Sequence, residues 1–576
     1  MVLTENIHAS QVAVMHRQIF TVTFAVLAAS LTTQLTAQDA NTPHLEQRGA
    51  ATQLIVDGKP FVMLAGELTN SSSSSLEYMK PIWPKLAAAS LNTVVTPLSW
   101  ELIEPSEGKF DFTLVDGLIA RAREQHLHLV FLWLASWKNG MSSYPPVWVK
   151  QDTKRFPRVV EKSVEYGILS PQGMATRDAD ARAFTALMKH IKAVDGKLHT
   201  VLAMQVENEV GVLGDSRDRS AEADAAFAAA VPDALPRYLK AHQAALDPEL
   251  RALWEQLGAK TSGTWAQMFG DGPRADEIFM AWQYARFVHA VAAAGKAAYD
   301  IPMYVNCWLP GEKDGPGNYP SGGPQPRVVD IWKAAAPASG PGTSEPSIDI
   351  YAPDLYAADF EGWSKRYHRD GNPLFMPETN AGAAGAANVF YAVGEHQAIC
   401  FSPFAIERAL DRPPVPDTTP RQPGQPPRPS PPELSASYRV LAEIWPLLSE
   451  AQVKGETHGF LLDQTHPSFD FPINGYIAHV SLDGIFGHQA EKGFGLIFAT
   501  GPGEFYGAGA GFRVAFTLPD GSKTPAGIGA VEEGHFEDGK WAPGRRLNGD
   551  ENDQGNYWRF DQFQVKIERA TVFKYE

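Results

Sequence analysis

VLAMQVENE (201–209) opens as an apolar run and ends in a carboxylate, and NPLFMPETN (372–380) repeats the pattern with Glu378 in place of Glu209. Runs of this length and composition read as buried strands. A carboxylate at the end of such a strand is costly unless something polar uses it, and two of them far apart in sequence argue for a paired acid/base site. Working outward, six more apolar runs of strand length appear: FVMLAGE (61–67), TVVTPLSW (93–100), HLVFLWL (128–134), PMYVNCW (302–308), IDIYAP (348–353) and AICFSPF (398–404). Between them LEYMKPIWPKLAAAS, FTLVDGLIARAREQ, ARAFTALMKHIKAV and DEIFMAWQYARFVHAVAAAGKAAY carry apolar residues at helical spacing. Eight strands alternating with helices predict an α/β fold, a closed (β/α)8 barrel of the TIM type, over 52–448.

Two segments interrupt this rhythm. The stretch 211–275 reads as a partly helical excursion above the barrel, where loops shape a cleft. DRPPVPDTTPRQPGQPPRPSPPELS (411–435) is too rich in proline to continue helix or sheet and reads as an extended loop. From 449 to 576 short alternating runs separated by Gly, Asn and Asp turns predict an antiparallel β-sandwich, jelly-roll-like, as an accessory domain. At the other end IFTVTFAVLAASLTT follows His16 and Arg17 and leads to small residues near Ala37. Residues 1–37 therefore read as a signal peptide, with Met15 an alternative start, and predict a periplasmic or secreted protein that does not span the membrane after cleavage.

Composition narrows the chemistry. The 576 residues are 44% hydrophobic and 11% aromatic with 14 Trp, enough for a large core with aromatic walls to spare. A net charge of −16 supplies no basic footprint for nucleic acid. Only Cys307 and Cys400 are present, on different expected strands, so two buried free thiols are expected rather than a metal centre. Neither the 16 His residues nor any glycine-rich motif indicates a metal or a cofactor.

The two strand-end glutamates divide the labour of glycosidic bond cleavage. Glu209 is the expected acid/base, its pKa raised by apolar surroundings and by the charge of Glu378; Glu378 is the expected nucleophile, held ionised by hydrogen-bond donors. A regular strand would put Glu207 and Glu209 on one face and Asn208 on the other. Asn208 is placed to bind a sugar hydroxyl beside the acid. Glu67 and Asn70, at the end of the first strand, are further candidates for sugar hydroxyls, and the serines 71–75 read as a polar loop with helix-capping residues. Trp137, just past the third strand, is a candidate stacking platform. Trp308, Tyr351 and Tyr356 lie near the ends of the fifth and sixth strands, and Tyr351 is the expected donor to the nucleophile.

The stretches LIVDGKPFVMLAGEL, LNTVVTPLSWELIEPSEGKFDF, QVENEVG and PLFMPETN together resemble glycoside hydrolase family 35 of clan A, the β-galactosidases, in its exported bacterial branch. In clan A the acid/base follows Asn at the end of strand four and the nucleophile ends strand seven, which implies those roles for Glu209 and Glu378. The resemblance implies a retaining exo-β-galactosidase acting on a β-galactoside oligosaccharide, with galactosylated xyloglucan fragments one such substrate. It departs from the family at Pro97, where many members carry Tyr, and at Ser136, where they carry an acidic residue before the Trp. β-Glucosidase, β-fucosidase and α-L-arabinopyranosidase activities stay open on the same barrel. So does a non-catalytic carbohydrate-binding protein.

Overall fold

The computed structural model describes residues 41–161, 164–337, 346–369, 371–411, 433–485, 488–519, 524–537 and 539–575. The leader expected over 1–37 and nearly all of the proline-rich loop lie outside them. Eight parallel strands close into a barrel in chain order: β1 (Met63–Glu67), β2 (Thr93–Ser99), β3 (His128–Lys138), β4 (Val201–Asn208), β5 (Met303–Trp308), β6 (Ile350–Leu355), β7 (Phe375–Thr379) and β8 (Cys400–Pro403), which pairs back onto β1. Each is followed by a helix of the outer ring: α1 (Trp83–Ala88), α2 (Thr113–Glu124), α3 (Met174–Asp195), α4 (Pro273–Ala298), α5 (Pro326–Ala335), α6 (Phe360–Tyr367), α7 (Gly382–His396) and α8 (Leu434–Lys454).

The strands are buried on both faces, which is why they read as continuous apolar runs rather than as alternating ones. Met63, Ala65, Val95, Leu132, Tyr304, Ile350, Ala352, Phe375 and Cys400 fill the barrel's interior. A three-stranded antiparallel ribbon over residues 44–61 brings Leu54 and Val56 into the same cluster. Its turn of chain lies ahead of β1, so this ribbon stands at the end of the barrel opposite the C-terminal strand ends. Cys307 and Cys400 are both buried and free, and the Cys307 thiol sits 2.6 Å from the Tyr367 hydroxyl.

Residues 211–275 form four short helices, Ala221–Ala228, Ala234–Ala241, Pro248–Gln256 and Trp265–Phe269, which pack on the flank of the outer ring and not above the barrel as the sequence suggested: the Asp247 amide donates to Asp330 of α5 at 2.9 Å, and Arg369, ahead of β7, donates to the Ala245 carbonyl at 2.7 Å. The serine loop after β1 is ordered by its hydroxyls. Ser75 caps the next helical turn by accepting from the Tyr78 amide at 3.2 Å, and Ser73 donates to the Pro97 carbonyl at 2.5 Å.

The C-terminal region is an antiparallel sandwich. One sheet has the order β9 (Thr457–Leu462), β12 (Gly493–Gly501), β13 (Glu504–Ala510), β18 (Lys566–Phe573), β15 (Gly527–Glu537), β16 (Lys540–Leu547). The other has β10 (Ser468–Ile473), β11 (Tyr476–Leu482), β14 (Phe512–Thr517), β17 (Trp558–Phe560). In β11 and β14 burial alternates residue by residue, as a half-buried strand requires. Helix α7 lies directly on β9 because two glycines face each other there. A Cβ on Gly394 would come within 2.9 Å of the Gly459 Cα, and one on Gly459 within 2.7 Å of the Phe390 carbonyl oxygen. The sandwich is thereby packed against the barrel's outer ring.

Candidate active site

At the C-terminal mouth of the barrel, side-chain oxygens of Glu209, Asp354 and Glu378 lie within 4.8 Å of one another, all three residues buried. Local backbone geometry brings them there. Interior residues Ile350 and Ala352 are two apart on β6, and the same phase carries Asp354 inward. On β7 the register with β8 shifts between Met376 and Thr379, and Glu378 arrives at the mouth although it is out of phase with the interior Phe375. On β4 the regular alternation expected for Glu207 and Glu209 breaks down. Both adopt left-handed backbone, φ 64° and 43°, a conformation that non-glycine residues seldom take.

The consequence is a separation of the two glutamates. Glu207 accepts from the Ser136 and Trp137 amides at 3.2 and 2.8 Å and shares a hydrogen bond with Asp180 of α3. Burial and then Asp180 push its pKa well up, so it is a protonated strut between β4 and α3. Ser136 donates to Asp180 at 2.5 Å in the same cluster.

Glu209 belongs to the mouth. Its amide donates to Asn306 Oδ1 at 2.9 Å, Asn139 Nδ2 donates to its Oε2, and Asp354 shares a hydrogen bond with it. Burial, then the charge of Glu378, raise its pKa to about 7, against opposing pulls from Lys138, Asp354 and Asn139. Asp354 is raised well above the usual range by burial and by Glu378 and Glu209, so the proton in their shared bond resides on Asp354; Asn306 Nδ2 holds its other edge at 2.7 Å.

Glu378 is surrounded by donors. Tyr356 Oη donates to Oε2 at 3.0 Å, Asn208 Nδ2 reaches Oε1 at 3.5 Å, and the Lys138 ammonium stands 3.8 Å from Oε1. Burial works against the Lys138 charge, but Glu378, Glu209, Glu67 and Asp354 outweigh it and raise its pKa, so it stays cationic. Burial and then Glu378 drive the Tyr356 pKa far up, which keeps the phenol a donor.

Of the residues expected from sequence, the mouth assembles Glu209, Glu378, Asn208, Glu67 and Tyr356. Trp308 stands on its rim at the end of β5, 39% exposed. Asn70 follows β1, half-buried, with Oδ1 unpartnered among the described residues. Two expectations are corrected. Trp137 has no exposed surface: its ring packs edge-on against Tyr284 and Phe287 behind the barrel wall and its Nε1 donates to the Leu169 carbonyl at 2.9 Å, so it is core and not a platform. Tyr351 sits near the start of β6, buried against Trp332, and the donor to Glu378 is Tyr356, just past the strand's end. Sequence reasoning did not single out Lys138, Asn139, Asn306 or Asp354. Lys138 and Asp354 carry the signal that exposed the glutamates, a charge at or near the end of an apolar strand.

Comparison with known proteins places these features beside a family. The model of glycoside hydrolase family 42, described as beta-galactosidase, matches residues 75–290, and a domain of unknown function, DUF5597, matches residues 434–559. The resemblance to family 35 is corrected by the first of these, since the matching family is 42. A beta-galactosidase of Xanthomonas manihotis is 31% identical over 176 residues, 28% of this chain and 26% of that protein, so the match spans about a quarter of the relative's length. Among solved structures, a beta-galactosidase from Halorubrum lacusprofundi is 15% identical with a TM-score of 0.40, covering 66% of this chain and 58% of that one. A beta-galactosidase from Rahnella sp. R3 is 18% identical with a TM-score of 0.38, covering 60% and 50%.

Proposed function

We propose that the protein is a retaining glycoside hydrolase, an exo-β-galactosidase that removes terminal β-D-galactosyl residues from oligosaccharides, galactosylated xyloglucan fragments among them. The carrying observation is the approach of Glu209 and Glu378, whose nearest oxygens are no more than 4.8 Å apart. Retaining enzymes hold their carboxyls about 5–5.5 Å apart, whereas inverting enzymes need about 6.5–9.5 Å to admit a water between acid and sugar. The family 42 match and the curated β-galactosidase relative support galactose as the glycone.

In this mechanism Glu378, oriented by Tyr356 and neutralised by Lys138, attacks the anomeric carbon. Glu209, with a pKa of about 7, is substantially protonated at neutral pH and gives its proton to the departing glycosidic oxygen. The C1–O bond breaks as the C1–Glu378 ester forms. Glu209, now a carboxylate, takes a proton from water, which attacks C1 and releases both sugar and Glu378. Protonated Asp354 donates to Glu209 while that carboxylate carries charge.

The test is the initial rate on aryl β-D-galactopyranosides, with proton NMR of the first-formed anomer. Release of β-galactose supports the reading. First-formed α-galactose refutes retention, and turnover of only glucosides, fucosides or arabinopyranosides moves the glycone. If none is turned over but galactosides bind, the protein is a binder.

A further inference from the structure

Glu67 ends β1 and points into the barrel mouth, following Met63 and Ala65 at the interior's period of two. It has no exposed surface, and neither of its carboxyl oxygens has a hydrogen-bond partner among the described residues. Its electrostatic neighbours are those of the active site: Glu378, Lys138, Glu209 and Glu407. A buried polar group normally finds a partner, and a carboxyl with both oxygens open calls for an explanation. Glu407, just after β8, shows the contrast. Its Oε1 is saturated by the Thr69 amide and hydroxyl and by the Ser72 hydroxyl at 3.0, 2.7 and 2.7 Å, while its Oε2 is buried and open.

Barrel order says which part of a sugar would face these oxygens. Glu209 ends β4 and has to meet the glycosidic oxygen on C1. The strand across the barrel from β4 is β8, and β1 is hydrogen-bonded beside it. In a pyranose ring C3 and C4 lie across from C1. A glycone whose C1 engages Glu209 therefore turns its C3 and C4 hydroxyls toward β8 and β1.

Building on the glycosidase reading, we infer that Glu67 is a glycone-specificity residue that hydrogen-bonds the C3 and C4 hydroxyls. Because galactose and glucose differ only at C4, Glu67 is then a determinant of which of them is cleaved. Its lack of a hydrogen-bond partner in the free protein follows, since the sugar supplies the missing partners.

The experiment compares wild type with Glu67→Leu on aryl β-D-galactopyranosides lacking the hydroxyl at C2, C3, C4 or C6. A site built around a hydroxyl rejects the deoxy analogue strongly, so in the wild type the 3- or 4-deoxy sugar should lose roughly 10²-fold or more in kcat/KM. In Glu67→Leu that loss should shrink to about threefold, with the 2- and 6-deoxy penalties unmoved. Thermal unfolding of the unliganded variant should be unchanged or raised, because an apolar side chain replaces an unpartnered carboxyl. Unaltered 3- and 4-deoxy penalties in an active Glu67→Leu would overturn the assignment and leave the glycosidase reading standing. A wild type that turns over no galactoside, glucoside, fucoside or arabinopyranoside would remove both. Should Glu67→Leu not fold, the same panel on Glu67→Gln decides, by whether those two penalties change or stay at the wild-type values.

Discussion

Replacing Glu378 by Gln should lower the titration midpoint of Glu209, by an amount the site geometry bounds. The nearest oxygens lie no more than 4.8 Å apart, and at that separation a unit charge in an effective dielectric of 20 is worth about 3.5 kcal/mol, equivalent to about 2.5 pH units before any screening by neighbouring charges. The actual share is smaller. Glu209 is lifted from 4.5 to about 7, burial is the largest contributor, and Lys138 pulls the other way. With burial supplying more of the lift than Glu378, a fall of about one pH unit is expected on removing that charge. The direction is fixed by electrostatics, since loss of a neighbouring anion favours the ionised form. Carbon-13 NMR of protein labelled at the glutamate carboxyl would follow the titration, with Glu209→Gln identifying the resonance. Because Glu209 and Asp354 share a hydrogen bond, the midpoint belongs to the pair and should be compared between variants. A midpoint that stays in place or rises in Glu378→Gln would refute the pairing that the mechanism requires.

Other perturbations separate the site from its surroundings. Tyr356→Phe removes the 3.0 Å donor to Glu378 and should reduce kcat roughly 10²-fold, whereas Tyr351→Phe, behind the barrel wall, should leave kcat/KM within about twofold. Trp137→Ala opens a cavity against Tyr284 and Phe287 and should cost about 3–5 kcal/mol in urea unfolding with KM of the folded fraction unchanged; a raised KM with intact stability would restore it as a platform. Glu209→Gln should change how stability depends on pH. A carboxyl whose pKa is raised on folding binds its proton more tightly in the folded state, so its contribution falls as pH rises from 4.5 to about 7 and is flat above. Relative to wild type, Glu209→Gln should therefore be more stable at pH 8 than at pH 4 by about 3 kcal/mol, read from urea midpoints.

The barrel was legible because its strands are buried on both faces, and such strands leave contiguous apolar runs whatever their phase. The sandwich was legible for the opposite reason, as YIAHVSL and FRVAFT alternate cleanly. Strand ends also carried the site, since a charge after an apolar run marks the mouth: Glu67, Glu209 and Glu378 were found this way, and Lys138 and Asp354 obey the same rule. What the runs do not contain is phase and depth. Trp137 and Lys138 are adjacent, yet one packs into the shell and the other faces Glu378, because β3 keeps its alternation to the end: Val130, Leu132 and Leu134 share the inward phase with Lys138, and Phe131, Trp133 and Ala135 the outward phase with Trp137. Glu207 and Glu209 have the spacing of one face but are parted because both take left-handed backbone, a choice made by what each can bond: backbone amides and Asp180 for one, Asn139, Asp354 and the open mouth for the other.

Charge balance was the least legible feature. No cation lies near Glu378 in sequence, and its counter-charge comes from β3, four strands away around the barrel. A closed barrel makes such pairings ordinary, because eight strand ends converge on one mouth. Reading each strand end as a contributor to one shared field, rather than as an isolated motif, explains why a buried lysine is tolerated there and why four carboxyls can stand around it. Lys138 and Glu378 oppose each other as charges, Glu209 and Asp354 carry raised pKa values, and burial pushes Glu67 well up. The protons retained by those three acids limit the negative charge that would otherwise collect at the mouth. Retaining chemistry uses that division directly, since it requires one carboxyl kept protonated beside one kept ionised.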